Sequence, residues 1–261
     1  MTNRKLILNH LIDIGGVATL NNFYSAKAKS YGGSLLQARK LFHFFESKGL
    51  IKKLDPITNP RNPSQEVFYA ITKQGANYAG REEYKYRGLP KSPFNVFHES
   101  MKFDFALAWI NLYGNRNTEI RYNQKFGSVM PDITITVHGK GTHKVLVELE
   151  RKKTIDRTAR DKFKKYDEMF NKMRKNKNDN PKNFTVLFVY TNTWYNVFAR
   201  PQQYEHYTGE QANLYEKTKE LAYLAKRLPD NYLFMPAHEF YRLNETVWYS
   251  PNGNKTSLVV K

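Results

Sequence analysis

Two short acidic segments carry the clearest chemistry in this chain. Asp132 follows Pro131 at the head of a strand-like run that continues Ile133-Thr134-Ile135-Thr136-Val137. Glu148 and Glu150 close a second run, Val145 to Glu150, that leads into Arg151 and Lys152. Strand side chains alternate between faces, so Glu148, Glu150 and Lys152 share one face while Val145, Val147 and Leu149 take the other. By the same alternation Asp132, Thr134 and Thr136 lie opposite Ile133, Ile135 and Val137. The connection from His138 to Thr142 is short and contains Gly139 and Gly141, which predicts an antiparallel hairpin. With His138 opposite Thr142, Asp132 faces Glu148; a slip of two residues sets Asp132 against Glu150. A slip of one would bring Leu149 to the acidic face, the penalised arrangement.

Carboxylates gathered in this way repel one another unless a hard cation sits between them, and Mg²⁺ prefers such oxygen ligands. A metal held there would activate a water, polarise a phosphoryl oxygen and stabilise a leaving oxyanion. Asp132, Glu148 and Glu150 are the candidate ligands for Mg²⁺, with Mn²⁺ expected to substitute. Lys152 is the candidate to orient the water or to stabilise developing charge.

The elements that must position these residues are predicted as a helix over 94–113, strands over 118–123, 132–137 and 143–150, a helix over 155–175 and a strand over 184–191, with more helix and short strands after them. On the first helix Phe103, Phe105, Ala106, Trp109, Ile110 and Leu112 form an apolar stripe that also takes in His98 and Glu99. A carboxylate on that side costs energy without a partner, which makes Glu99 a fourth candidate ligand. The other reading of Glu99 is a solvated residue that favours the helix dipole. The later helix sets Phe163, Tyr166, Met169, Phe170 and Met173 on one side and Arg157, Arg160, Lys164 and Lys175 on the other. His138 and His143 flank the hairpin turn and are read as surface histidines. There is no phosphate-binding loop signature and no zinc-ligand spacing.

Upstream, residues 4–13 have helical spacing, and Thr19 to Lys29 forms a second predicted helix after Gly15 and Gly16. A third runs from Ser34, a suitable N-cap, to Lys48, with Gly49 closing it. It packs Leu35, Ala38, Leu41, Phe42 and Phe45 and leaves Arg39, Lys40, His43 and Ser47 on the free face. Two strand-like runs follow, Leu50 to Leu54 and Glu66 to Ile71, separated by a Pro/Asn-rich loop that carries Arg61, and Thr72 starts another helix. Charged residues mixed with Gly88 and Pro90 read as a linker over 83–92, between a domain at 1–82 and a second at 93–261.

Forty-two Lys and Arg against 24 Asp and Glu leave a formal charge of +18 on 261 residues. Residues 1–90 hold 14 basic and 6 acidic side chains and the remainder 28 and 18, so both parts are suited to a polyanion. DNA is the expected partner. Hydrophobic content of 40%, with 15% aromatic, is enough for packed cores. The absence of cysteine excludes disulfides, a thiol nucleophile and Cys-ligated zinc, and points to a cytoplasmic setting. No run approaches the ~20 apolar residues a bilayer requires, and no long basic amphipathic helix or lipidation signal suggests a membrane surface. The chain is expected to be soluble and unprocessed.

Three helices, a hairpin and a following helix over residues 4–80 resemble the winged helix-turn-helix family. That resemblance implies that Arg39, Lys40, His43 and Ser47 enter the major groove and that Arg61 on the wing reaches the backbone. The later α-β-β-β-α-β order, with Pro131-Asp132 and Glu148-Leu149-Glu150-Arg151-Lys152, resembles the PD-(D/E)xK nuclease superfamily. Its commonest pattern selects Glu150 with Lys152, its acid-x-acid variant Glu148 with Glu150, and its first helix often supplies a glutamate, here Glu99. Together with Lys165-Tyr166, the combination over residues 4–190 is similar to the replication-relaxation family of plasmids and conjugative elements. Where that family often continues with Gly or Ser and Thr after the arginine, this chain has Lys152-Lys153-Thr154.

The implied fold is α/β (α+β), a winged helix followed by a nuclease-like αβββαβ core. The implied function is a Mg²⁺-dependent DNA endonuclease or nickase of a plasmid, phage or other mobile element, leaving a 5′-phosphate and a 3′-hydroxyl. A second copy or other replication or transfer proteins of the element are the further partners. The alternatives are a non-catalytic origin-binding or regulatory protein on a degenerate nuclease fold, and a protein adaptor. A covalent phosphotyrosine route finds no support, because nothing selects one of the 18 tyrosines.

Overall fold

The computed structural model describes residues 3–13, 16–20, 35–54, 57–59, 62–82, 98, 101–102, 105–106, 108–110, 112–113, 117–139, 141–150, 156–176, 180–190, 208–224 and 231–258. The chain is a mixed α+β protein that separates into two compact units, Met1–Leu107 and Ala108–Thr193 with Arg200–Lys261. The predicted linker at 83–92 lies outside the described residues.

In the first unit α1 spans Asn3–Asp13 and buries Ile7, Leu8, Leu11 and Ile12. Gly16 at φ 82° turns the chain into β1, Val17–Thr19. This corrects the start of the predicted second helix: Thr19 ends a strand, because the backbone of Val17 to Thr19 pairs antiparallel with residues 68–70. A strand of three residues is too short to show alternation. The rest of that predicted helix and Ser34 lie outside the described residues.

Helix α2, Leu35–Ser47, buries Ala38, Phe42 and Phe45. It ends as its glycine predicts, with Gly49 at φ 66° and its N–H bonded to Glu46 O at 2.9 Å, while Leu50 N–H reaches Phe45 O at 2.8 Å. Strands β2 (Ile51–Lys53) and β5 (Phe68–Ile71) are antiparallel, and with β1 they make a three-stranded sheet in the order β1-β5-β2. The segment between them, read as a loop, holds a second antiparallel pair, β3 (Ile57–Asn59) and β4 (Asn62–Glu66), irregular at Thr58/Asn59. Both strands of a two-stranded sheet are edges, where Pro63 is tolerated, so a Pro/Asn-rich composition does not exclude strand here.

Helix α3, Lys73–Ala79, starts at Thr72, whose side chain accepts from Gly75 N–H at 3.0 Å. Thr72 N–H in turn bonds Leu50 O at 3.1 Å, tying the helix start to the end of α2.

In the second unit a seven-stranded mixed sheet runs β12-β11-β10-β9-β8-β7-β6. Its strands are β6 (Thr118–Tyr122), β7 (Ile133–His138), β8 (Thr142–Glu150), β9 (Phe184–Tyr190), β10 (Tyr232–Pro236), β11 (Trp248–Tyr249) and β12 (Lys255–Thr256). The two pairings β8/β9 and β9/β10 are parallel and the others antiparallel. Parallel neighbours need long crossovers, and α4 (Asp156–Lys175) and α5 (Thr208–Leu224) supply them. The strands between these crossovers are buried along almost their whole length, including all of β9.

One core cluster joins Phe163, Tyr166 and Phe170 of α4 to Phe188 of β9, Tyr232 and Phe234 of β10, and Leu221 and Ala222 of α5. Phe163 meets Phe188 edge-on at 5.0 Å between ring centres. Of the predicted 94–113 helix the described residues are helical, with Met101, Phe105, Ala106 and Trp109 buried. Leu112, placed in its apolar stripe by the sequence, is exposed near the helix end. Among the described residues no helix is long and apolar enough to cross a membrane.

A methyl group at Gly75 would run into Leu50 O and lie 2.7 Å from Ile71 Cδ1. Gly75→Ala is therefore expected to destabilise the first unit by about 1–3 kcal/mol, the usual range for overpacking. Urea unfolding followed by circular dichroism measures it, and an unchanged midpoint would show that the helix start moves freely from Leu50.

Candidate carboxylate and lysine site

The β7/β8 hairpin pairs Ile133 with Val147 through to His138 with Thr142. One step further along that register sets Asp132 opposite Glu148, the first of the two arrangements the sequence left open. The turn that fixes it is closed by Gly139 N–H on Gly141 O at 2.8 Å. Asp132 is half-buried just ahead of β7, and its Oδ2 accepts the Leu149 N–H at 2.8 Å. The aspartate is thereby bonded across to the backbone between the two glutamates.

Strand β8 pairs Glu148 with Phe188 and Glu150 with Tyr190 of β9. Both acids therefore point to the face that carries Leu146, Phe188 and Tyr190, which belong to the same core cluster as the apolar side of α4. Both are buried, Glu148 at 4% and Glu150 at 8% exposure. Carboxylates in such a place need partners, and α4 provides them. Lys162 Nζ donates to Glu148 Oε2 at 2.5 Å and also to Glu150 Oε1, while Tyr166 OH donates to Glu148 Oε1 at 2.7 Å. Lys162 and Tyr166 stand four residues apart on the helix, the spacing that places two side chains on one face.

The electrostatics follow from this geometry. The Glu148 carboxyl is raised from 4.5 to about 7: burial is the largest cause, Asp132 adds to it, and Lys162 and the Tyr166 hydrogen bond oppose it. Burial works against the charge on Lys162, but Glu148, Glu150 and Asp132 outweigh it and hold the ammonium well above the ordinary lysine value. Burial and the Glu148 charge raise the Tyr166 phenol, and burial with Glu220 and Glu150 pushes Tyr190 up to about 12. Both phenols stay protonated near neutral pH. The Thr134 hydroxyl, on the same face of β7 as Asp132, is buried and has no hydrogen-bond partner among the described residues.

Of the residues singled out by sequence, Asp132, Glu148 and Glu150 come together, and Lys152 and Glu99 lie outside the described residues. Lys162 and Tyr166 were not assigned to the site. Their signal is that Lys162 falls three residues after Ala159 and four before Tyr166, at the rim of the buried stripe of α4, while Arg160 and Lys164 are exposed. His138 is exposed and His143 Nε2 lies 2.9 Å from Thr185 Oγ1. The register sets the two histidines on opposite faces, so they do not share a metal.

On α2 the structure leaves Arg39, Lys40, His43 and Ser47 exposed. His43 Nδ1 is 4.0 Å from Glu46, and Ser47 Oγ donates back to Phe44 O at 2.8 Å. Arg61 lies outside the described residues.

Carboxylate oxygens are the ligands a hard divalent cation prefers, and here the positive charge between Glu148 and Glu150 is the Lys162 ammonium. In the present arrangement that ammonium is the cation: among the described residues no group of three or more His, Asp or Glu side chains is gathered to hold a metal.

An acid whose carboxyl is raised on folding binds its proton more tightly in the folded chain, so its contribution to stability is present below about pH 4.5 and is lost as pH rises to about 7. The thermal midpoint of Glu148→Gln minus that of the unsubstituted chain should accordingly rise across this window and level off above it. A difference that stays flat from pH 4.5 to 7 would show that burial does not raise this carboxyl.

No protein-family model matches the chain, and no curated protein matches it. Among solved structures it is similar to the restriction endonuclease FokI, with a TM-score of 0.26 and 14% sequence identity over 79% of this chain and 41% of that one. The chain thus spans less than half the length of that enzyme, and a superposition so loose assigns neither fold nor function.

Proposed function

We propose that the chain is a DNA-binding protein whose second unit hydrolyses a phosphodiester with the help of a divalent metal, Mg²⁺ or Mn²⁺. The observation that carries this reading is the convergence of Asp132, Glu148, Glu150 and Lys162 at the end of β7 and β8. Glu150 and Glu148, with Asp132, are the residues that would hold the metal. Bound there, the cation supplies positive charge against the phosphoryl oxygens and the leaving alkoxide.

The chain's own groups supply the rest. Lys162, 29% exposed at its side chain, offers a permanent positive charge at the rim of the cluster, where a phosphate can approach. Tyr166 fixes one oxygen of Glu148 and so orients that carboxylate. Asp132 is oriented by the Leu149 N–H.

Site finding belongs to the first unit. Its order of helix, strand, helix, strand, hairpin, strand and helix supports a winged-helix reading, with the exposed Arg39, Lys40 and His43 on α2 reading the groove. A single copy would nick one strand, and a symmetric pair would cut both. The setting implied by the sequence resemblance is a mobile element.

One observation favours a second reading. Both oxygens of Glu148 are already engaged by Tyr166 and Lys162, an arrangement that needs no metal and suits a DNA-binding protein without catalysis.

Supercoiled plasmid incubated with Mg²⁺ or Mn²⁺ separates the two. The chain should convert it to open-circular or linear form, and Asp132→Ala and Glu150→Ala should each abolish conversion. Intact binding with no cutting of any substrate supports the second reading. DNA affinity tests site finding independently. Arg39→Ala with Lys40→Ala should weaken binding, with the slope of log affinity against log salt falling by about one for each of the two that contacts a phosphate. Unchanged affinity would remove α2 from the interface.

A further inference from the structure

We propose that Lys162 is the resident cation of the carboxylate site, and that a divalent metal loads by displacing its ammonium from Glu150. The inference rests on the metal-dependent reading above and concerns how that site is filled. Its ground is the geometry of one nitrogen. Lys162 Nζ donates to Glu148 and to Glu150 together, so the charge that would attract a metal is already compensated from within the chain. Glu148 has its second oxygen on Tyr166 and is the more deeply buried of the two. Glu150, held among the described residues by the Lys162 ammonium and slightly more exposed than Glu148, is the acid from which exchange is easiest.

A metal entering beside an ammonium that stayed in place would meet a like charge within a few ångströms, in surroundings that screen poorly. Lys162 has somewhere else to go. It lies on a four-carbon stem with 29% of its side chain exposed, so it can swing to solvent without moving α4. The displaced ammonium would stand at the rim of the site, ready to pair with a phosphate. Loading with metal and presenting a cation to DNA would then be one event.

The expected consequence is competition, read as metal affinity in the absence of DNA. Calorimetric titration of the full chain with Mn²⁺ should give weak binding for the unsubstituted protein. Lys162→Met should bind at least tenfold tighter, about 1.4 kcal/mol in binding free energy. Adding Glu150→Gln to Lys162→Met should erase the gain, and Lys162→Arg, which keeps the charge, should bind no tighter than the unsubstituted chain.

Removing one partner of a buried ion pair can unfold a protein. If Lys162→Met is unfolded alone, its circular dichroism should return to the folded form in Mn²⁺ and not in NaCl of equal ionic strength. Equal or weaker Mn²⁺ affinity in Lys162→Met, or a variant that stays unfolded in Mn²⁺, overturns the proposal. The plasmid assay fails separately. Tighter Mn²⁺ binding by Lys162→Met with no DNA cut by any form would leave the exchange standing and remove the nuclease. Metal-dependent cutting with unchanged Mn²⁺ affinity in Lys162→Met would do the reverse.

Discussion

A carboxylate inside a sheet is a constraint that everything around it must answer. Glu148 sits at a position of β8 whose neighbours are core residues, Leu146 two positions back and Phe188 across the parallel ladder. An uncompensated charge there would cost several kcal/mol. The fold answers with a helix that carries Lys162 and Tyr166 one turn apart, both within reach of the same carboxylate. That requirement fixes which face of α4 looks at the sheet and how far along the strand the helix must lie. Glu150 and Asp132 then share the arrangement, one through the same ammonium and the other through the backbone of Leu149.

The sheet order makes the constraint hold. Strand β8 is held by β7 as far as Val147, by β9 from Lys144 to Glu150 and by the Leu149 N–H on Asp132, so its acids cannot shift along the strand independently. Adjustment in the site is left to side chains that arrive from the helix. The strands form a rigid frame for the negative charge, and the helix supplies the positive charge on a flexible stem.

The strand part of the site was legible because alternation has a period of two: once Asp132, Glu148 and Glu150 are placed on strands, their faces follow. The choice between two even registers was not legible, since both bury the same apolar set, and a short Gly139 to Gly141 turn decides it. Lys162 was hidden for another reason. Helix α4 also carries Lys164, Lys165, Lys172 and Lys175, and the spacing of Lys162 from Ala159 and Tyr166 is a faint signal among so many lysines until the helix is packed on the sheet. In the first unit α2 and its glycine end were readable from apolar spacing, whereas β1 and the β3/β4 pair were not. Three-residue strands show no pattern, and prolines at sheet edges look like loops.

The aromatic layer under the site has a mechanical meaning. Phe163 packs edge-on against Phe188, Tyr232 and Phe234, and Tyr166 against Phe188 and Tyr232, so the two rings that follow Lys162 in the helix act as a gear engaged with the sheet. A slip of one tooth, a single residue of helix, rotates the helix by about 100° and advances it by about 1.5 Å. That movement would carry Lys162 away from both glutamates while leaving the helix intact. Trimming a ring in this layer would therefore be felt first as a change in charge balance at the end of the sheet, so the core works as the alignment mechanism of the electrostatics above it.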